Sequence, residues 1–390
     1  MSRLLHQVRG SRLVFPLLRP YSHLMSESSH RKGGDPSGEG LQPGKLAPAT
    51  LERLLAKVGD AGEAPAAPDL VVGPGVGLDG AVLDLRASPG TPGARIEAAG
   101  GAPPFLVAAS DPITFAAQEM GWYAVHVNAN DVACMGATPR WFMATILLPP
   151  GAGEEDAEDI FRQIHRGCRE VGAILVGGHT EVTAGIQRPI LIGTMLGVTR
   201  GWVSSAGAQP GDALLLTKGV AIEGTAILAR EARERLVGKV SGALLDRARD
   251  FLHHPGISVV PDARVAREAG RVHALHDPTE GGVAGGIHEL CQASGTGARI
   301  QLGAIPVFQE TREIAAALGI DPLGLIASGA LLLAVVPADA GAILGALERS
   351  GIPAVRLGSL EEKEAGVMAE VDGKVRPLPR FATDELARAL

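Results

Sequence analysis

The sequence predicts an α+β protein made of two layered domains. Three observations carry that reading. The chain has 390 residues, long enough to bury more than one hydrophobic core. From Gly77 onward, segments of strand character alternate with segments of helical period. The strand segments are mostly continuous apolar runs, as expected where sheet faces are covered.

Taken in order, residues 1–45 stand apart. Arg3, Arg9, Arg12, Arg19 and Arg31 occur among Ser, Gly and Pro, and the first acid is Glu27. Such a start fits an organelle transit peptide, or a disordered or misassigned start with Met25 as the true one; the latter is preferred. SESSHRKGGDPSGEGLQPG is polar and glycine-rich and is expected to be disordered. The first domain is placed at 46–205. It opens with an amphipathic helix in ATLERLLAKVG and continues with strands in AVLDLR and FLVAAS. A helix in EMGWYAVHVNANDVACMG, a strand in RWFMATILLP and a helix in EDAEDIFRQIHRGCREVG follow, then strands in AILVGG and RPILIGTMLGVT. The second domain, 206–375, begins with a turn and strand in AQPGDALLLTKG. Helical text follows in AIEGTAILAREARERL and GALLDRARDFL, then a strand in HALHD and a helix in GGVAGGIHELCQASG. On that helix Val283, Ile287, Leu290 and Cys291 form one apolar stripe. A strand in GALLLAVV, a helix in GAILGALERSG and a strand in PAVRLGSL close it, leaving 376–390 as a tail.

Composition narrows the function. Aromatic residues are only 3%, so the cores must be aliphatic. A net charge of -7 argues against nucleic acid as a main partner, though not against phosphate held through metal ions. No apolar run is long enough to span a bilayer, so no membrane role is expected. Cys134, Cys168 and Cys291 lack metal-site or disulfide spacing and read as small buried hydrophobes of a reducing, cytoplasmic compartment.

Five stretches carry candidate chemistry. In GPGVGLDGAVLDL, Gly75, Gly77 and Gly80 spell the outline of a dinucleotide turn, but strand text follows where that motif needs a helix. A nicotinamide oxidoreductase is therefore rejected. What remains is a glycine turn delivering Asp79 to a strand, as a Mg²⁺ ligand or as a hydrogen-bonding turn residue. SDP, at Ser110 to Pro112, ends a strand with Asp111 and reads by itself as an ordinary turn. In VNANDVACMGATP, Asn128 and Asp131 share a helix face, as do Asp131 and Met135. Polar groups inside so apolar a helix must be partnered, within a structural network or at a metal or nucleotide site. In LVGGHTEVT a strand is expected to end at Gly177 and Gly178, whose turn could admit a phosphate, with Thr180 offering a hydroxyl; the plain alternative is a tight turn with an exposed His179. In HALHDPTEGGVAGGIHEL a strand ends at Asp277 and Thr279 is expected to cap a helix whose start favours anions. Glu289 reads as a supporting acid or a solvated charge. Carboxylates at strand ends beside glycine-rich turns suggest ATP held through Mg²⁺ rather than by a lysine loop.

The ordered series GLDGAV, ASDP, VNANDVACMGATPRW, GGHTEVT and HDPTEGG resembles the AIR synthase (PurM-type) ATP-binding superfamily, and within it the HypE-like AIR synthase-related proteins. The resemblance covers about residues 70 to 375. It implies an AIR-synthase-like fold: an N-terminal domain whose strands from two chains form a dimeric barrel, a C-terminal α/β domain, and ATP between the domains. It implies Asp79, Asp131 and Asp277 as metal ligands, and Asp111, Asn128, Gly177, Gly178 and Thr180 at the nucleotide. His179 or Glu181 would be the acid–base group near the acceptor. The chain departs from the family in places. HypE carriers end in a cysteine that bears the carbamoyl group, whereas this chain ends DELARAL, and Glu181 stands where HypE-type sequences have Lys. The cysteine or selenocysteine nucleophile of selenophosphate synthetase is absent, and the AIR synthase GGETAEMPG text is only partly echoed. The expectation is thus an ATP- and Mg²⁺-dependent enzyme that phosphorylates an oxygen of an unidentified small acceptor, as a homodimer. The alternative is a non-catalytic nucleotide-binding assembly factor working with a maturation partner.

Overall fold

The computed structural model describes residues 48–60, 69–86, 105–113 and 119–390. The expectations for residues 1–45 lie outside the described residues. The first half holds α1 (Pro48–Asp60), β1 (Leu70–Val72), β2 (Ala81–Asp84), β3 (Phe105–Ala109), β4 (Pro112–Ile113), α2 (Met120–Cys134), β5 (Thr138–Leu148), α3 (Glu154–Val171), β6 (Ile174–Val182) and β7 (Ile190–Thr199). Its strands form one sheet in the order β1-β2-β3-β7-β5-β6, with β4 also paired to β7.

Every residue of α2 is buried, as its all-round apolar sequence requires. It packs on β3, β5 and β7 on one side and on α3 on the other. Gly121 makes the helix contact possible, because a Cβ there would lie 2.5 Å from the Ile160 carbonyl oxygen. On α3 only Ile160, Ile164, Gly167 and Cys168 are buried, and Gly172 ends the helix in the left-handed conformation.

The sheet's second face is different. Alternation along β5 buries Phe142, Ala144, Ile146 and Leu148. It leaves Met143 exposed, with Ile192, Leu196 and Val198 of β7 half-buried. The edge strand β6 is exposed along its whole length. Here the chain corrects the expected end at Gly177 and Gly178. The strand runs on through His179 to Val182, parallel to β5, with a register irregularity between Phe142 and Met143. Gly178 has φ 147, and a Cβ there would stand 1.9 Å from the Ala144 carbonyl oxygen. The glycine therefore marks close backbone approach inside a strand, not a turn.

The second half holds β8 (Ala213–Thr217), α4 (Ile222–Glu231), α5 (Arg233–Leu236), α6 (Gly242–Arg249), α7 (Val260–Ala269), β9 (Val272–His276), α8 (Gly282–Ser294), β10 (Gly297–Gln301), α9 (Gln309–Leu318), β11 (Leu332–Val335), α10 (Ala340–Arg349), β12 (Ala354–Glu361), β13 (Val367–Val371), β14 (Lys374–Pro377) and α11 (Glu385–Ala389). Its sheet runs β14-β13-β10-β12-β8-β11-β9. β8 and β11 are buried on both faces. Leu214, Leu216, Leu332 and Ala334 enter one core; Ala213, Leu215, Leu333 and Val335 enter another. That second core also takes Ala133 and Cys134, so the end of α2 packs against the second sheet.

Two segments correct the sequence reading here. The N-cap position of α8 is Gly281, at φ 80, two residues beyond the expected Thr279. Its N–H donates to Asp384 Oδ2 at 2.7 Å, and Asp384 Oδ1 accepts from Leu386 and Ile326. The stretch read as a tail is therefore a docked helix, with Leu386 and Ala389 in the core.

Candidate functional site

Asp79 arrives on the loop 73–80, and the glycines there answer steric demands. At Gly77, φ 73, a Cβ would lie 2.8 Å from the Glu289 carbonyl oxygen on α8; at Gly80 it would lie 2.9 Å from that of Ala108 on β3. The loop is wedged between the two halves, and its carboxylate is set accordingly. Asp79 Oδ1 lies 2.7 Å from His276 Nδ1 at the end of β9. Ser205 Oγ shares its hydrogen between Asp79 Oδ2, at 3.2 Å, and the Leu275 carbonyl, at 3.3 Å. His276 Nε2 lies 3.1 Å from Glu289 Oε2. Burial opposes charge on His276, but Asp79 and Glu289 outweigh it and hold its pKa well above the usual histidine value. The imidazolium then donates to an acid on either side, which fixes the Asp79 side chain.

Asp277 follows β9 directly and is buried. Its Oδ1 accepts from Cys134 Sγ at 3.3 Å, and its Oδ2 is buried without a hydrogen-bond partner. Burial, reinforced by the Asp79 charge, pushes its pKa up to about 7, with His276 pulling the other way. Asp131 lies one turn before Cys134 on α2, buried, and its charge is felt at the thiol. Asp111 joins β3 to β4, half-buried, and its charge is felt at Asp277. Asp79 and Asp277 thus meet, together with Cys134, where α2, β9 and the loop 73–80 come together, and the charges of Asp131 and Asp111 are felt there.

The amides of α2 are brackets. Asn128 Oδ1 accepts from the Asp111 N–H at 2.8 Å, while its Nδ2 donates to Ala124 at 2.8 Å and Asp111 at 3.3 Å. Asn130 Nδ2 donates to the Ile257 carbonyl and its Oδ1 accepts from the Val259 N–H, tying α2 to the second half. Both therefore belong to a structural polar network, and Asn128 sets the backbone that carries Asp111.

The remaining candidates lie elsewhere. Gly177, Gly178, His179, Thr180 and Glu181 are all on β6, and the two acid–base candidates meet each other, His179 Nε2 to Glu181 Oε2 at 3.1 Å. In register, Gly178 faces Ala144, Ala144 faces Gly193, and the Gly193 N–H donates to the Asp111 carbonyl. β6 is thus three strand spacings from Asp111, roughly 14 Å. Within one chain the edge strand and the acid cluster are separate.

The sequence reading missed Cys134, His276 and Ser205. Cys134 carried a signal, standing at i+3 from Asp131 on one helix face. His276 and Ser205 carried none, because strand ends and loops offer no period that points at a partner far along the chain.

Residues 104–199 match the family model described as AIR synthase related protein, N-terminal domain, and residues 209–369 match AIR synthase related protein, C-terminal domain. Carbamoyl dehydratase HypE of Cupriavidus necator is 34% identical over 262 residues, 64% of this chain and 70% of that protein. The crystal structure of hydrogenase maturation protein HypE in complex with ATP is similar with a TM-score of 0.62 at 26% identity, covering 72% of this chain and 86% of that one. A chain of the HypE–HypF complex shares the fold with a TM-score of 0.63 at 22% identity, over 85% of this chain and all of its own. Two matched domain models in the family's order, and a relative alike along most of both chains, make this chain an AIR synthase related protein of the HypE-like kind.

Proposed function

We propose that this chain is an ATP- and Mg²⁺-dependent enzyme that phosphorylates an oxygen of a small acceptor. The observation that carries the reading is the meeting of Asp79 and Asp277, where a buried oxygen of Asp277 lacks any partner and the charges of Asp111 and Asp131 are felt. Such an oxygen fits a divalent cation, since a carboxylate buried bare is costly. Its kinship supports ATP, because a HypE 26% identical to it is known in complex with ATP.

On this reading Asp79, Asp131 and Asp277 hold Mg²⁺, and Asp111 stands at the nucleotide, positioned by Asn128. Bound there, Mg²⁺ would offset charge on the phosphate oxygens. His276 and Glu289 keep Asp79 in one rotamer, so little reorganisation is needed when ligand arrives. Gly177, Gly178, Thr180, His179 and Glu181 reach a reaction centre only if two chains combine. A homodimer is supported by the bare edge of β6 and by its exposed Ile174, Leu175, Val176 and Val182. A maturation partner is supported by the kinship with HypE, and a cytoplasmic location by three buried, unpaired thiols.

Calorimetry with ATP, with and without Mg²⁺, followed by ADP release over a panel of acceptors, tests the reading. Mg²⁺-dependent binding and acceptor-dependent ADP are expected. His179→Ala and Glu181→Ala test the acid–base role; unchanged turnover in both removes it. A second reading, a nucleotide-binding assembly factor, is favoured by the burial of all three cysteines, none of which is presented as a carrier thiol. Binding without turnover of any acceptor would select it. Among the described residues no helix is long and apolar enough to cross a membrane.

A further inference from the structure

We propose that Cys134 is a ligand in the cation site, and that the group Asp79, Cys134 and Asp277 prefers a thiophilic divalent ion to Mg²⁺. One donor atom from each residue lies within 4.8 Å of the other two. Three donors spread around one ion at about 2.0 to 2.3 Å stand roughly 3.3 to 4.0 Å apart, so a shift of at most about 1 Å closes the set. The proposal rests on the reading of this cluster as a cation site and refines which ion it takes.

The plain alternative makes Cys134 a hydrogen-bond donor to Asp277. A thiol is a weak donor, and here it serves one oxygen while the other has no partner. A serine or an amide would serve that purpose better. The thiol is fully buried at the end of α2, facing carboxylates from both halves of the chain. What a sulfur adds to such a set is softness. Mg²⁺ is a hard ion that keeps to oxygen, whereas Zn²⁺, Co²⁺ and Cd²⁺ accept a thiolate readily. On coordination the sulfur gives an electron pair to the ion and its proton leaves to solvent; nothing is oxidised. The His276–Glu289 pair behind Asp79 is the outer support that metal-binding groups commonly have. Among the described residues Cys168 and Cys291 belong to no such group.

The test is titration of the full chain with CoCl₂, followed by absorption, beside calorimetry with CdCl₂ and with MgCl₂ plus ATP. A thiolate-to-cobalt charge-transfer band saturating at one ion per chain is expected. It should vanish in Cys134→Ser and persist in Cys168→Ser and Cys291→Ser. Cd²⁺ affinity should fall at least about tenfold in Cys134→Ser and stay unchanged in Cys168→Ser and Cys291→Ser. Cobalt binding without that band in the unaltered protein, which needs no variant to fold, overturns the proposal, as does a band that survives Cys134→Ser. Intact Mg²⁺–ATP binding would then leave the broader reading standing. Failure to bind any of the three ions would overturn both.

Discussion

At the acid cluster, Asp79, Cys134 and Asp277 are enclosed by both halves of the chain; along β6, His179, Thr180 and Glu181 face solvent on a single strand. The first region draws its ligands from segments far apart in sequence and removes them from water. The second is one continuous stretch with an open edge. Burial sets the stakes. A carboxylate held in a low dielectric is expensive unless it is partnered, so altering it has large consequences. An exposed His–Glu pair is worth little by itself. The cluster draws its groups from one chain, whereas β6 among the described strands pairs only with β5.

The largest effect is expected from Asp277→Asn. It keeps the shape but removes the charge beside the orphaned oxygen, and Mg²⁺–ATP affinity should fall at least about 100-fold by calorimetry. Unchanged affinity would move the cation away from the cluster.

Glu223 sharpens the comparison as a buried acid outside the cluster. It lies in the first turn of α4 with Oε2 unpartnered, and burial pushes its pKa from 4.5 up to about 7. The folded chain therefore holds this proton more tightly than the unfolded chain. The residue's contribution is full below 4.5, declines as pH rises to about 7 and stays low above it. Glu223→Gln should match the unaltered protein near about pH 4 and exceed it by about 2 kcal/mol near about pH 8, read by denaturant melts. A variant no more stable at the higher pH would mean that this acid is solvated or partnered.

A smaller loss is expected from Glu289→Gln, which acts on Asp79 only through His276: about tenfold in cation affinity by calorimetry. The smallest effect on folding should come from the edge. Val176→Glu with Val182→Glu should turn a dimer into a monomer by sedimentation, with stability changed by less than about 0.5 kcal/mol. A dimer that persists would show that β6 is not its interface.

Much of the fold was legible because its signals are local. The buried α2 and the amphipathic α3 follow from helical period, and β8 and β11 from apolar runs. Other elements gave no such signal. All four residues of β14, KVRP, are exposed, and it is a strand only because β13 pairs with it. The reading of Gly177 and Gly178 as a turn failed for a related reason. Glycine marks either a turn or a close approach, and only the neighbour across the sheet, Ala144, decides which. At the site, acids at strand ends were visible as candidates. Cys134 was passed over despite its i+3 spacing from Asp131, since a lone cysteine on an apolar helix looks like any small core residue.

The sequence by itself determined the order of the elements, the aliphatic character of the cores and the positions of acids beside glycine turns. These depend on period and composition, which each segment carries alone. Tertiary structure decided that Asp79 meets His276 across 197 positions, that Asp384 accepts from the start of α8, and that β6 ends its sheet. The reason is physical: such contacts arise when distant segments are closed together by packing, and no local pattern encodes the partner.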